Sequence, residues 1–362
     1  MSGLQPAQLQ NSGLTWEKSD QYDLGLDVDL FDYRLKMKLD YYYKYTSSIL
    51  WNVDLPGSIY FFKTKWDNAV ELSNEGIELE AQFDILRDTE VKWRARFNIS
   101  RNWNRLEKTN TGMDLGEQFV IGRPINQIRV YRDLGLVQNE NDVPITWDQY
   151  GVPRPLGSGG MAQPTRPGMR HIADLNGDGV ISEEDKYFAG SPLPLAYGGI
   201  ASEIKWKGFD LNVLFNYSLG RKIINAFKYG ALNFNPMSLG ALFEDYRNVS
   251  FWQKPGDETD YPVMSAINSY HVGQFDGIVD SNIEKVNFIR LKQLTLGYNF
   301  PTEWMRKIHL QGARVFFTGE NLFLLTNYSG LDPENVDTMH GIDRLETFPS
   351  ARKLTLGLTV KF

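Results

Sequence analysis

Residues 352–362 read Arg-Lys-Leu-Thr-Leu-Gly-Leu-Thr-Val-Lys-Phe, an alternation with no break. In a strand, successive side chains point to opposite faces. Leu354, Leu356, Leu358, Val360 and Phe362 therefore share one side, and Lys353, Thr355, Gly357, Thr359 and Lys361 the other. A segment so divided has two possible homes. Its apolar side packs into the core of a water-soluble protein, or it meets lipid while the other side faces a wet barrel interior. Which home applies depends on the rest of the chain.

The same division recurs. Tyr22, Leu24, Leu26, Val28 and Leu30 alternate with Asp23, Gly25, Asp27 and Asp29; after a turn at Phe31-Asp32-Tyr33, Leu35, Met37, Leu39, Tyr41 and Tyr43 alternate with charged residues. This spacing predicts a hairpin with one greasy and one charged face. A long connection is expected from about Thr46 to Asn68. Ile77 to Ile85 and Val91 to Ile99 form the next pair, joined at Arg87-Asp88-Thr89. Their inward rows, Glu78, Glu80, Gln82 and Asp84 against Lys92, Arg94, Arg96, Asn98 and Ser100, are expected to lie side by side, acid beside base. Such cross-strand pairs contribute about 0.2–1 kcal/mol each. Ile200 to Trp206 and Phe209 to Tyr217 flank a Lys207-Gly208 turn. Leu294 to Phe300, Arg314 to Leu324 and the terminal segment complete the series. Ile289 and Leu291 are out of phase with Leu294, which predicts a bulge near Lys292. Pro301 to Ile308 reads as a turn or one helical turn.

Nine strands of about ten residues result, with connections that alternate short and long. That rhythm belongs to an all-β, antiparallel transmembrane β-barrel with short periplasmic turns and long extracellular loops. Residues 1–19 form a lead-in, and residues 20–362 the barrel portion. The up-and-down parity closes if Leu106 to Pro192 is one outer excursion; the strand-like piece Pro124 to Tyr131 then lies within it or has an unseen partner. Tyr41, Tyr43, Tyr45, Trp103 and Tyr217 gather near the ends of the apolar faces, as an aromatic girdle does. A soluble sandwich also has short alternating strands. Against it stand the long connections, all on one side.

Composition narrows the function classes. The 362 residues carry a net charge of −7 with 23% charged and 42% hydrophobic residues, which argues against disorder and against nucleic-acid binding. There are 18 Tyr, 21 Phe and 9 Trp, and no cysteine, so thiol catalysis, Cys-ligated zinc and disulfides are excluded. No apolar run reaches the ~20 residues of a spanning helix. The first residues, Met1-Ser-Gly-Leu-Gln, show no secretory leader, and with membrane strands downstream the expectation is the later part of a longer precursor.

One loop carries a motif. Asp174-Leu-Asn176-Gly-Asp178-Gly179-Val180, ending at Asp185, follows the EF-hand-type calcium loop: oxygen ligands at positions one, three and five, Gly at six, a backbone carbonyl at seven. Asp174, Asn176, Asp178, Val180 and Asp185 are the expected Ca2+ ligands, with a structural role in pinning a long outer loop. Position twelve is Asp rather than Glu, which leaves a shorter arm or a contribution from Glu184. The same residues also make plain turns without an ion. Elsewhere chemistry is sparse. His171, His271, His309 and His340 lack zinc-hydrolase spacing, and Gly157-Ser-Gly-Gly160 lacks the context of a nucleophile elbow. Loop aromatics (Trp51, Tyr60, Phe61, Phe62, Trp66, Trp147, Tyr150, Phe251, Trp252 and Tyr261) stack on ligands or pack the loops.

Several phrases, in order, resemble one family. Leu14-Thr-Trp-Glu17, Asn74-Glu-Gly-Ile-Glu78-Leu79, Asp174-Leu-Asn-Gly-Asp-Gly179, Phe288-Ile-Arg-Leu-Lys-Gln-Leu-Thr-Leu-Gly-Tyr298, Gly319-Glu-Asn-Leu-Phe323 and Tyr328-Ser-Gly-Leu-Asp-Pro333 are similar to the SusC/RagA family of TonB-linked outer-membrane transporters of Bacteroidetes. The resemblance implies the C-terminal portion of a barrel of about twenty-two strands with a plugged lumen. It implies a SusD-like lipoprotein as the lid, TonB acting on a plug that lies outside this chain, and import of oligosaccharides or peptides. The implied location is the cell outer membrane, and no enzymatic activity is implied. The alternative function is a surface glycan- or peptide-binding β-protein that transports nothing. A secreted glycosidase needs a facing carboxylate pair, and nothing in the sequence marks one.

Overall fold

The computed structural model describes residues 9–55, 64–115, 119–148, 150–158, 165–225, 250–263, 278–343 and 348–362. Its main feature is one nine-stranded sheet, whose strands are numbered here in chain order. They are β1 (Lys18–Leu30), β2 (Leu35–Asp54), β3 (Thr64–Leu86), β4 (Val91–Thr109), β5 (Ala196–Trp206), β6 (Phe209–Ile224), β7 (Ile283–Asn299), β8 (Gly312–Thr326) and β9 (Lys353–Lys361). Each pairs antiparallel with its sequence neighbour, so spatial order equals chain order. The excursion between β4 and β5 leaves the sheet and returns to the adjacent position, where β5 pairs with β4.

Register lines up the apolar residues across the sheet. Leu26, Leu39, Leu79 and Ile99 form one row. Trp93, Ile204, Leu211, Leu296, Phe317 and Leu356 form another. This face is bare: Leu24 is 74% exposed and Leu356 77%. Among the described residues the other sheets have two strands each, and none covers it. The sandwich alternative therefore fails, because a soluble sandwich buries this face against a second sheet.

The strands are longer than expected. β2, β3 and β4 run for 20, 23 and 19 residues. Most of the expected connection from Thr46 to Asn68 is paired strand, with irregularities beside Ile49 and a left-handed Ser48 (φ 58°). The physical reason is a change of surroundings. Beyond a lipid belt about 25 Å tall the ladder continues without needing an apolar side, so the alternation that marks a strand fades while the pairing does not.

The expected turns are present. Phe31, Asp32 and Tyr33 all have positive φ, as do Lys207 and Gly208. A short helix, α1 (Thr302–Arg306), occupies the Pro301–Ile308 turn. The bulge falls at Lys292, which has no partner in either ladder: Leu214 pairs with Gln293 and Phe215 with Leu291, while Leu291 and Gln293 meet Phe323 and Glu320. Ile289 and Leu291 thereby stay on the apolar face. The piece near Tyr131 belongs to the excursion, where Ile128–Val130 pairs with Tyr187–Gly190.

Burial concentrates where the long connections meet the sheet. Ile128, Val130 and Ile224 form one buried cluster, with Ile223, Val286, Tyr328 and Val336 in another. Tyr131, Leu156, Ile172 and Ile181 of the excursion form a third with Val279 of the β6–β7 connection. The chain thus has a packed cap at its loop end above an exposed greasy band.

Candidate functional site

Two regions can do chemistry: the polar face of the sheet and the cap above it. On the polar face one row runs Asp84, Arg94, Glu203, Asn212, Thr295, Thr318 and Thr355. The Arg94 Nε donates to Asp84 Oδ1 at 2.6 Å, and the Thr295 and Thr318 hydroxyls lie 3.0 Å apart. Arg96 Nε donates to Gln82 Oε1 at 3.2 Å. The expected acid–base row thus closes at Asp84 and Arg94. Higher up, Glu80 stands opposite Asn98 on one side and Lys38 of β2 on the other, without an ion pair to either strand. Arg94, Arg96, Glu203, Asn212 and Gln293 help line a cavity of about 380 Å3 open to this face. Guanidinium, carboxylate and amide side by side suit hydrogen bonding to a polar solute or to another polar protein segment. Among the described residues no Asp, Glu or His trio comes together to hold a metal ion.

The cap is tied down by buried charge. Arg290 and Asp332 lie 2.5 Å apart, both nearly inaccessible, and Arg290 Nε lies 2.8 Å from Glu334. Arg170 pairs with Asp133 in a second buried bridge. Arg221 donates to the Pro333 carbonyl at 2.9 Å. The buried Tyr328 hydroxyl donates to Asp343 at 2.6 Å; burial, then the bond to that carboxylate, pushes its pKa far up. Tyr187 is raised for the same reasons, its hydroxyl donating to Asp280 at 2.8 Å. None of these partners was readable in advance, since each links residues far apart in sequence. The one available hint was Asp332-Pro333 within the resemblance to SusC/RagA.

The calcium-type loop is closed by its own amides. Asp174 accepts from Gly177 N at 2.7 Å and Gly179 N at 2.8 Å; Asn176 accepts from Asp178 N and Asp178 from Val180 N. Asp185 is fully buried. It accepts from Leu175 N at 2.8 Å and Ser182 N at 2.7 Å, the latter completing a capping box over Glu183–Asp185. Val180–Ile181 pairs with Gly157–Ser158, which gives the first half of the Gly-rich loop a structural role.

The loop aromatics divide. Trp51 packs edge-on against Phe119 with ring centroids 4.8 Å apart, and the buried Trp252 donates to Gln138 Oε1 at 3.0 Å. Phe251 packs against Tyr261. Trp66, Trp147 and Tyr150 stay exposed on the loop side. Tyr60, Phe61, Phe62, Gly159, Gly160 and His271 lie outside the described residues.

Comparison with known proteins agrees with this geometry. Residues 2–132 match the family described as TonB dependent receptor-like, beta-barrel. TonB-dependent receptor P3 of Formosa agariphila is 31% identical over the whole chain, and SusC of Bacteroides thetaiotaomicron is 28% identical over 97% of it. The chain spans only 36% and 32% of those relatives. The solved RagAB peptide importer in its closed-closed state superposes with a TM-score of 0.75 over 99% of this chain and 37% of its own, at 24% identity, a likeness of fold. The relatives are receptors rather than enzymes, and the bare apolar band is that of an outer-membrane protein. Residues 2–132 thus carry a TonB dependent receptor-like β-barrel segment, and along its whole length the chain is similar to TonB-dependent receptors, SusC among them, with the fold of the RagAB importer.

Proposed function

We propose that the chain forms part of the wall, lumen lining and outer cap of a barrel that imports oligosaccharides or peptides across an outer membrane. In this reading a SusD-like lipoprotein closes the outer mouth, and TonB supplies the pull through a plug formed by other parts of the receptor. The observation that carries it is the two-faced sheet, greasy outside and charged within, under a packed loop cap. RagAB is a peptide importer, so peptides are the first ligand class to test. Uptake of fluorescent peptides and oligosaccharides is measured in cells carrying the complete receptor, with and without TonB. Loss of internalisation without TonB supports import. Surface binding that persists with no TonB-dependent internalisation in any condition overturns it in favour of the binding-protein alternative.

For the Asp174–Asp185 loop we propose Ca2+ as an added ligand rather than the closing element. The spacing of Asp174, Asn176, Asp178, the Val180 carbonyl and Asp185 supports an ion there, on carboxylates that already accept loop amides at Asp174 and Asp185. Chelation is then expected to leave the loop resistant to protease, and Asp185→Ala to expose it. Calcium titration calorimetry on the receptor reads the ion directly, and no heat above buffer removes it from the proposal.

A further inference from the structure

The short-turn end of the sheet holds a feature that neither the lumen nor the cap uses. On the apolar face Trp206, Phe209 and Tyr298 stand in one row. Phe209 and Tyr298 have ring centroids 4.5 Å apart, and Tyr298 meets Phe300 edge-on at 5.1 Å. This aromatic patch runs straight into the turn that contains α1. There Met305 is buried, while Trp304 is 56% exposed and Ile308 59%.

Charge sets this turn apart from the others. Arg34 and Arg87 are each within ion-pair distance of Asp88, and Lys207 of Glu90. Arg306 and Lys307 are exposed; the turn's one acid, Glu303, is exposed too, and among the described residues neither cation lies within ion-pair distance of it or of any other carboxylate. Unpaired cations next to exposed Trp and Ile, continuous with a lipid-facing aromatic band, match the chemistry of a phospholipid headgroup. The aromatics occupy the boundary layer and the cations meet the phosphate.

We propose that this turn is a binding site for an anionic phospholipid of the periplasmic leaflet, with Trp304 and Ile308 entering the interface and Arg306 and Lys307 holding the phosphate. It rests on the barrel reading above, which places the short turns in the periplasm. A site there anchors one side of the wall at a fixed depth.

The complete receptor is purified in mild detergent and examined by native mass spectrometry with phosphatidylglycerol or phosphatidylethanolamine. Wild type is expected to retain phosphatidylglycerol preferentially. Arg306→Gln and Lys307→Gln should each lower that retention roughly fivefold, the effect of one surface charge near anionic lipid, and lower that of phosphatidylethanolamine less, because its ammonium already offsets the phosphate. Trp304→Phe should keep the preference, and Trp304→Ser should lower retention of both lipids. Heat-modifiable electrophoretic mobility confirms that each variant is folded. A folded Arg306→Gln/Lys307→Gln double variant that still prefers phosphatidylglycerol overturns the site. So does equal retention of the two lipids by wild type, which leaves an ordinary aromatic girdle. If import fails to show TonB dependence while the lipid preference stands, the transport reading falls and this one survives.

Discussion

At the scale of single residues, the cap depends on charges that water cannot reach. Arg290 is the central one, because it lies within ion-pair distance of both Asp332 and Glu334. Removing one member of a buried pair leaves an uncompensated charge, at a cost of about 3–5 kcal/mol. Arg290→Met is therefore expected to loosen residues 328–343 by that amount, read as faster amide exchange there. Asp332→Leu added to it should recover much of the loss, since the buried pair is then apolar and the remaining carboxylate, Glu334, still has Lys292 at 3.5 Å. Tyr328 adds a pH dependence whose sign is fixed. Its folded pKa is raised, so the protonated phenol is the form the fold holds. The associated stability is present below the ordinary tyrosine pKa of about 10 and declines as pH climbs above it. Exchange protection around Tyr328 should thus be level from neutral pH to about 9 and fall beyond 10, and Tyr328→Phe should flatten the curve. A decline that begins near neutrality would point to some other group.

At the scale of elements, phase decides everything, and the bulge at Lys292 is the clearest case. Leu291 and Leu294 are three residues apart yet share the apolar face, because Lys292 pairs with neither neighbour. Deleting Lys292 brings them two apart and keeps both on that face, so the deletion should still give a folded, heat-modifiable receptor. Inserting one alanine between Thr295 and Leu296 turns Leu296 and Tyr298 toward the lumen, and no folded species should form. The sequence announced this bulge because lipid imposes a strict period of two. It did not announce the upper halves of β2 and β3, where Thr46, Ser47 and Asn68 sit in or beside the ladder without alternation. For the same reason the cap was illegible. Its pairings, such as Tyr187–Gly190 with Ile128–Val130, span dozens of residues and are set by packing rather than by local period. The Asp174–Asp185 motif was visible as a pattern of turn-forming oxygens, yet only coordinates show that Asp185 spends both of its oxygens on amides.

At the scale of the whole molecule, the decisive fact is that the sheet is open. Order runs from β1 to β9 without closure, so each of those two strands has one side with no ladder partner among the described residues. Both are also greasy: Tyr22 and Leu24 on β1 are 70% and 74% exposed, and Leu354 and Leu358 on β9 are 66% and 68%. In hydrocarbon an unpaired edge leaves amide groups with nothing to bond, at several kcal/mol for each group. In water the same edge is a template for another chain. Neither solvent accepts this sheet alone; closure by further strands satisfies both edges at once. The chain refolded by itself in detergent is therefore expected to give oligomers and protease-sensitive material, with no heat-modifiable monomer. Refolded together with the remaining strands of its receptor, it should enter a compact, protease-resistant species. A resistant, heat-modifiable monomer from this chain alone would mean that β1 and β9 find each other. A nine-stranded closure of that kind brings the lumen rows of Asp27, Lys38 and Thr355 across a far narrower interior, and the wall could not then surround a pathway for a solute.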